Sequence, residues 1–314
     1  MIEEETVFIL GAGASCPYGY PSGRELRQEI CSSFVSDSSA YFRAQGATHP
    51  EIHIALNKAE TFVKKFHNSS TQSIDLFLAR NPEFMVMGKW AIIFRIFAAE
   101  KKSKFREQME HKNLDWYSYL FERLTDDLVK KEDYTRFGDD NKVSFISFNY
   151  DRSLEHFLYV SLLNSFSNIP VGEIKEQLNK HRIIHIFGQV AGLDWQELDN
   201  KIEYGRDDID IQRLADKLRI IYEKNENPVF EEAHELIRKA KRIFFLGFGY
   251  AKENLEILKI PEIIRDEQKI YGTALNFTKK EINSIQYTFP HRLLLSSYVH
   301  IKNMDSLGLL RKYL

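Results

Sequence analysis

A glycine-rich turn directly after the first strand-like run has the residue types that hold a phosphate. It reads Gly11-Ala12-Gly13-Ala14-Ser15. Glycines at the end of a strand let the backbone turn tightly and approach a pyrophosphate, and the amides at the start of the following helix can hold the anion. We therefore predict that Gly11, Ala12, Gly13 and Ser15 bind a phosphate-bearing cofactor. A purely structural turn is the alternative.

The spacing around this turn argues against two common uses of such a motif. Cys16 stands where the dinucleotide fingerprint of dehydrogenases has its third glycine, and the Gly-Lys-Ser/Thr of a nucleotide-hydrolysing phosphate loop does not follow. The sequence therefore supports neither hydride transfer nor ATP hydrolysis. Arg24, shortly after the turn, is a candidate partner for the phosphate, and a surface salt bridge is its alternative role.

The elements that must position this turn alternate between strand-like and helical patterns. Short runs of β-branched and aromatic residues, most of them followed by Gly, Asn or Asp and then by a helical pattern, predict parallel strands with helices between them. We expect an α/β fold with a Rossmann-like parallel sheet, helices on both faces, and ligands bound beyond the carboxyl ends of the strands. The strand-like runs are 6–10, 143–147, 182–187, 242–248, 270–276 and 298–302.

The pattern changes between the first and the second strand. Strand-like runs are missing there, and apolar residues recur at helical spacing. We therefore predict a helical insertion after the first strand, at 36–139, and a Rossmann-like domain formed by 1–35 and 140–314.

Composition narrows the classes of function. The 314 residues include 43 Lys and Arg against 45 Asp and Glu, and the net charge of −2 argues against direct nucleic-acid binding. Two cysteines cannot build a disulfide scaffold or a four-cysteine zinc site. The acidic start and the lack of a run of ~18 apolar residues predict neither a signal peptide nor a membrane span, and hence a cytoplasmic protein.

Four short segments occur in an order that is typical of one family. They are Gly11-Ala-Gly-Ala-Ser with a downstream Gly-Tyr-Pro-Ser-Gly, Ile146-Ser-Phe-Asn-Tyr-Asp151, Ile184-His-Ile-Phe-Gly188 and Phe245-Leu-Gly-Phe-Gly249. The ordered set resembles the sirtuins, and more closely their sirtuin-like branch in bacterial anti-phage defence. Residues 73–78 and 272–275 also resemble elements of that branch.

The resemblance implies a zinc-free enzyme that acts on NAD. Sirtuin deacylases carry a zinc module of paired cysteines, which two cysteines cannot form. The chain is therefore more similar to an NAD hydrolase than to a protein deacylase. This implies NAD as the substrate, nicotinamide and ADP-ribose as the products, and no metal ligands.

The second and third segments supply the candidate catalytic residues. Asn149 matches the key Asn of the family, and its carboxamide can align a water or a ribose hydroxyl. Asp151 matches the Asp two residues further on, with capping of the next helix as its alternative role. The His-Gly pair of the family reads Phe187-Gly188 here. His185, two residues earlier on the same strand face, is then the candidate general base.

Four further positions belong to the cofactor site that the resemblance implies. Gly188 is the glycine of the His-Gly motif, and Gly247 and Gly249 would let a second turn approach the cofactor. Asn276, at the end of the fifth strand-like run, is a candidate for the adenosine end of the cofactor, with turn capping as the alternative.

The resemblance also implies a biological role, an effector of anti-phage defence that depletes NAD. Such an activity would harm its own host if it were always on. We therefore expect gating by homo-oligomerisation or by a partner, such as a HerA-like ATPase or an Argonaute-related protein. Two alternatives stay open. One is a catalytically silent subunit that senses NAD or ADP-ribose, suggested by the shifted histidine, and the other is a nuclease-type defence subunit.

Overall fold

Six strands, numbered β1 to β6 along the chain, form one parallel sheet in the computed structural model, which describes residues 1–101, 115–166, 169–198, 200–206, 209–220, 228–290, 294 and 298–314. The strands are β1 Thr6–Leu10, β2 Val143–Ser147, β3 Arg182–His185, β4 Arg242–Leu246, β5 Lys269–Thr273 and β6 Val299–Lys302. Their order in the sheet is β3-β2-β1-β4-β5-β6. The predicted α/β, Rossmann-like fold class is confirmed.

A row of aromatic side chains crosses the sheet and fixes its register. Phe145, Phe8, Phe244 and Tyr271 are register partners on neighbouring strands, and the centroids of adjacent rings lie 4.8–5.3 Å apart. The His300 ring on β6 continues the row, 5.5 Å from the Tyr271 ring. Side chains alternate between the two faces of a strand, so a slip by one residue would move a ring to the opposite face. The row therefore aligns the carboxyl ends of the strands.

Three strands end earlier than the sequence pattern predicts. β3 ends at His185, β4 at Leu246 and β5 at Thr273. The apolar residues that follow β3 and β4 are also buried, although they have left the sheet. Hydrophobicity alone therefore overestimates the strand length at this edge.

Between β1 and β2, where the sequence predicts an insertion, the described residues form helices and no strand. Within the described residues, no helix combines the length and the apolar character needed to cross a bilayer. The helices are α1 Ala12–Ser15, α2 Gly23–Ala44, α3 His49–Asn68, α4 Ile74–Arg80, α5 Met85–Lys101, α6 Trp116–Thr125, α7 Arg136–Asp140, α8 Ser153–Ser165, α9 Val171–Asn179, α10 Ile211–Lys217, α11 Pro228–Lys239, α12 Lys252–Ile257, α13 Lys279–Gln286 and α14 Ser306–Tyr313.

The chain divides into two compact units. The first consists of Met1–Tyr18, Lys104–Ile186 and Glu226–Leu314 and contains the sheet, and the second consists of Gly19–Ser103 and Phe187–Asn225. These bounds differ from the predicted division into 36–139 on one side and 1–35 with 140–314 on the other. The domain boundaries therefore stay a prediction.

The second unit is built on helix packing around aromatic rings. Phe34, Phe62, Phe66 and Phe77 are fully buried, and their neighbouring ring centroids lie 4.7–5.9 Å apart. The segment after β3 joins this unit because α10 packs against α5. No local sequence pattern marks this long-range contact.

In the first unit, the turns after β1 and β4 are in direct backbone contact. The Gly11 amide donates to the Leu246 carbonyl and the Gly13 amide to the Gly247 carbonyl, each at 3.0 Å. Gly247 has a φ of +57°, and a Cβ atom at this position would lie 1.9 Å from the Ala14 nitrogen. Only glycine fits there, because any side chain would meet backbone atoms in a conformation that L-residues rarely adopt.

We predict that Gly247→Ala lowers the free energy of unfolding by more than about 2 kcal/mol, because the new methyl group must push the two turns apart. Gly249→Ala is the matched control, since a Cβ at Gly249 would meet no atom within 4 Å. We expect its effect to stay within about 0.5 kcal/mol. Equilibrium urea unfolding measures both variants, and equal stabilities would contradict the proposed backbone contact.

Candidate active site

The candidate catalytic residues come together where the first three strands end. Ser147 and His185 are register partners at the carboxyl ends of β2 and β3. Asn149 and Asp151 follow β2, and Ser15 is the last residue of α1, the short helix after β1. Ser15, Asn149, Asp151 and His185 form one cluster around a small cavity, although the sequence separates them by up to 170 positions.

The Asn149 carboxamide is held by its nitrogen. Its Nδ2 donates to the Gly11 carbonyl and to the Ser15 hydroxyl, each at 3.0 Å, and its backbone amide donates to the Ser147 hydroxyl at 3.1 Å. The Gly11 carbonyl can only accept, so the amide nitrogen must face it. Among the described residues, none donates to the carboxamide oxygen. The carboxamide oxygen of Asn149 is therefore a hydrogen-bond acceptor with a fixed orientation.

Ser15 lies between Asn149 and Asp151. Its hydroxyl accepts from Asn149, and its interaction with the Asp151 carboxylate lowers the pKa of that group. Asp151 also accepts from the Ser153 hydroxyl and, at 3.1 Å, from the Ser153 amide, which lies in the first turn of α8. Tyr117 extends this network, with its hydroxyl 2.7 Å from that of Ser153. Asp151 therefore bonds to the first residue of α8, whereas Arg152 and not Asp151 occupies the capping position of that helix.

His185 contacts an acceptor with each ring nitrogen. Nδ1 lies 2.9 Å from the Asn149 carbonyl oxygen, and Nε2 lies 2.6 Å from Oε1 of Glu155. The His185 side chain is 7% exposed and the Glu155 side chain is 2% exposed. The histidine thus links the Asn149 backbone to a buried carboxylate.

For His185 and Asp151, burial shifts the pKa in one direction and the hydrogen-bond partners shift it in the other. Burial tends to lower the pKa of His185, but the charge and the hydrogen bond of Glu155 outweigh it and leave this pKa raised above its ordinary value. Burial also raises the pKa of Asp151, while the hydrogen bonds from Ser153 and Ser15 offset part of that increase. Both shifts favour the protonated forms of the two side chains.

A small cavity lies inside this cluster. The space open to the centres of water molecules is about 10 Å³, close to the ~10–15 Å³ that one water requires. It is far below the ~300–1,000 Å³ typical of ligand pockets. The cavity therefore has room for about one water but not for a ribose. Its lining residues are Leu10, Ser15, Tyr117, Ser147, Asn149, Asp151, Leu154, Glu155, Ile183 and His185.

The glycine turn after β1 already uses most of its amides. Besides the Gly11 and Gly13 bonds to the turn after β4, the Ala14 amide donates to the Gly11 carbonyl at 2.9 Å. In this conformation these three donors are not available to a phosphate. Ala12 is half-buried, and Gly13 is exposed despite its bond.

The remaining predicted binding residues lie elsewhere on the two units. Gly249 is exposed, and so is Asn276, which has a φ of +66° and donates its backbone amide to Asn303 Oδ1 at 2.9 Å. Both belong to the first unit. Arg24, exposed in the first turn of α2, and Gly188, with a φ of +77°, belong to the second unit.

Three further residues belong to this site although no sequence motif predicts them, namely Glu155, Ser153 and Tyr117. An acidic residue in the first turn of a helix is common because it stabilises the helix amino terminus, so Glu155 carries no motif of its own. Tyr117 lies on a helix from a distant part of the chain, and only tertiary packing brings it to this site.

Comparisons with known proteins give distant structural similarity only. No family model matches the chain, and no curated protein matches it. A complex of a Sir2 homologue with NAD is 11% identical, covers 98% of this chain and 86% of that chain, and has a TM-score of 0.42. A complex of Sir2 with an inhibitor, 2'-O-acetyl-ADP-ribose and a deacetylated peptide is 14% identical, covers 98% and 91%, and has a TM-score of 0.36. At these values the similarity carries no argument about chemistry.

Metal-ligating residue types do not cluster in the part of the chain that the structure describes. Within those ranges, no group of three or more His, Cys, Asp or Glu side chains is arranged to hold a metal ion.

We predict that Ser15→Ala lowers the free energy of unfolding by about 1–3 kcal/mol, because it removes an acceptor from the Asn149 carboxamide and a polar partner from the buried Asp151. Ser165→Ala is the control, since the exposed Ser165 hydroxyl donates only to the Ser161 carbonyl of its own helix. We expect that change to stay within about 0.5 kcal/mol. Equilibrium urea unfolding measures both variants. A Ser15→Ala protein as stable as the control would contradict the proposed role of Ser15 in the polar network.

Proposed function

We propose that this chain is an NAD hydrolase in which the Asn149 carboxamide acts at the reacting ribose. The proposed reaction breaks the bond between the ribose C1' and the nicotinamide nitrogen, and the bonding electron pair leaves with nicotinamide. Water adds to C1' and loses a proton, giving ADP-ribose. Nicotinamide departs as a neutral molecule, so the site mainly has to orient water and the ribose hydroxyls.

The orientation of Asn149 is the observation that carries this proposal. Its amide nitrogen is fixed by Gly11 and Ser15, which leaves its oxygen as the oriented acceptor. Asn149 also lines a small cavity with room for about one water. A fixed acceptor beside such a cavity suits the alignment of a water or a ribose hydroxyl.

The strand order supports a dinucleotide as the ligand. In sheets of order 3-2-1-4-5-6, dinucleotides bind outside the carboxyl ends of the strands, where the order reverses. Here the reversal lies between β1 and β4, and the turns after these two strands carry Gly11, Gly13, Gly247 and Gly249. We propose NAD contacts at these glycines and at Ala12 and Ser15, with Asn276 of the same unit as a further contact.

The sequence resemblance extends the proposal to a biological role. We propose an effector of bacterial anti-phage defence that acts in the cytoplasm by depleting NAD. Homo-oligomerisation or a partner, such as a HerA-like ATPase, would restrain it until infection.

One observation favours a second candidate, a subunit that senses NAD or ADP-ribose without cleaving it. Both His185 nitrogens already face acceptors, so the histidine offers no lone pair to a substrate in this conformation. A sensor would bind NAD and release no nicotinamide.

We predict that purified wild-type protein releases nicotinamide from NAD and that Asn149→Ala lowers the rate at least about 100-fold, the scale of losing one oriented group at a reacting centre. Asn164→Ala is the matched control, because Asn164 is exposed on α8 and donates to the Val160 carbonyl. Chromatographic detection of nicotinamide measures all three proteins. Full activity in Asn149→Ala would contradict the assignment, and tight NAD binding without release by the wild type would favour the sensor.

A further inference from the structure

The surroundings of His185 determine where its protons lie. The Asn149 carbonyl has no hydrogen to donate, so Nδ1 must carry a proton to make its 2.9 Å contact. Nε2 and the Glu155 carboxyl group are 2.6 Å apart and share another proton. Neither ring nitrogen therefore presents a lone pair to a reacting molecule, as a general base must.

Glu155 is the charged partner that makes this arrangement stable. Its side chain is 2% exposed and projects from the first turn of α8. A carboxylate at this depth needs a cation beside it, because an unpaired buried charge is strongly destabilising. Asp151, from the segment after β2, acts on the imidazole in the same direction and more weakly. Tyr117, from α6, is the other titratable group that lines the cavity.

We propose that Glu155 is a positioning residue of this site: it keeps a proton on both nitrogens of His185, and the resulting cation anchors the Asn149 backbone. His185 then acts as an anchor and not as the general base. Its Nδ1–H fixes the carbonyl of the residue whose side chain faces the cavity, and its Nε2–H pairs with Glu155. The effect on catalysis rests on the proposed NAD hydrolysis, whereas the protonation of His185 can be tested without it.

An anchor and a base predict opposite dependences on pH. A general base works after it has lost its proton, so the rate would rise as the pH passes through the pKa of His185. An anchor needs both protons, because an Nε2 that has lost its proton turns a lone pair toward the Glu155 carboxylate and no longer holds the ring in place. Since Glu155 raises the pKa of His185, the cation is present below ~6.5, the ordinary histidine value, and is lost as the pH rises through the higher folded-state pKa. The rate would then fall over that range.

The first experiment measures the pH profile of nicotinamide release by wild type, Glu155→Gln and Glu155→Asp. We expect the alkaline fall in kcat to move to lower pH by about one unit or more in Glu155→Gln, which has lost the charge. Glu155→Asp, which keeps the charge, should restore most of the wild-type profile. Glu173→Gln is the matched control, an exposed acidic residue in the first turn of α9. A wild-type rate that rises through the pKa of His185 would overturn the proposal.

The second experiment follows the same pKa without NAD. Nitrogen NMR of protein labelled in histidine, with His185→Gln used to assign the signal, should show both ring nitrogens protonated at pH 7 in the wild type. The pKa of His185 should be lower in Glu155→Gln, because burial lowers this pKa and the charge that offsets burial is lost. A bare ring nitrogen in the wild type at pH 7 would overturn the proposal even if the variants failed to fold. If no nicotinamide is released but this signal is found, the proposed hydrolysis fails while the role of Glu155 stands.

Discussion

The Gly11 carbonyl is the group on which both the turn and the site depend. It accepts the Ala14 amide, which closes the first turn of α1, and it accepts the Asn149 carboxamide. Its position is fixed in turn, because the Gly11 amide donates to Leu246 on β4. One residue, Gly11, thus links the pairing of β1 with β4 to the orientation of the Asn149 side chain.

The backbone contact between the turns after β1 and β4 gives the glycines a structural role. Glycines after a strand predict phosphate binding, yet Gly247 leaves no room for a side chain because backbone atoms of the turn after β1 lie against it. The amides of Gly11 and Gly13 bond to the opposing turn. The glycines therefore build the edge at which a dinucleotide would bind, and open positions such as Gly249 are better placed to contact it.

Local pattern was sufficient to predict the strands and the edge at which the site lies. Parallel strands end on one side of a sheet, so Ser15, Asn149, Asp151 and His185 could be placed together from their positions after β1, β2 and β3. Glu155 could not be predicted, because an acidic residue at a helix start has an ordinary local explanation. The charge it imposes on His185 exists only in the folded chain. The assignment of 187–225 to the helical unit likewise depends on packing that no local signal records.

In the proposed hydrolase, the Asn149 carboxamide faces bound NAD. The most direct measurement titrates NAD into protein labelled with nitrogen-15 in asparagine and follows the side-chain signal of Asn149, assigned by its loss in Asn149→Ala. The signal should move and saturate together with NAD binding, because the carboxamide oxygen gains a donor. An Asn149 signal that stays unchanged while NAD saturates the protein, or a protein that does not bind NAD, would contradict the claim.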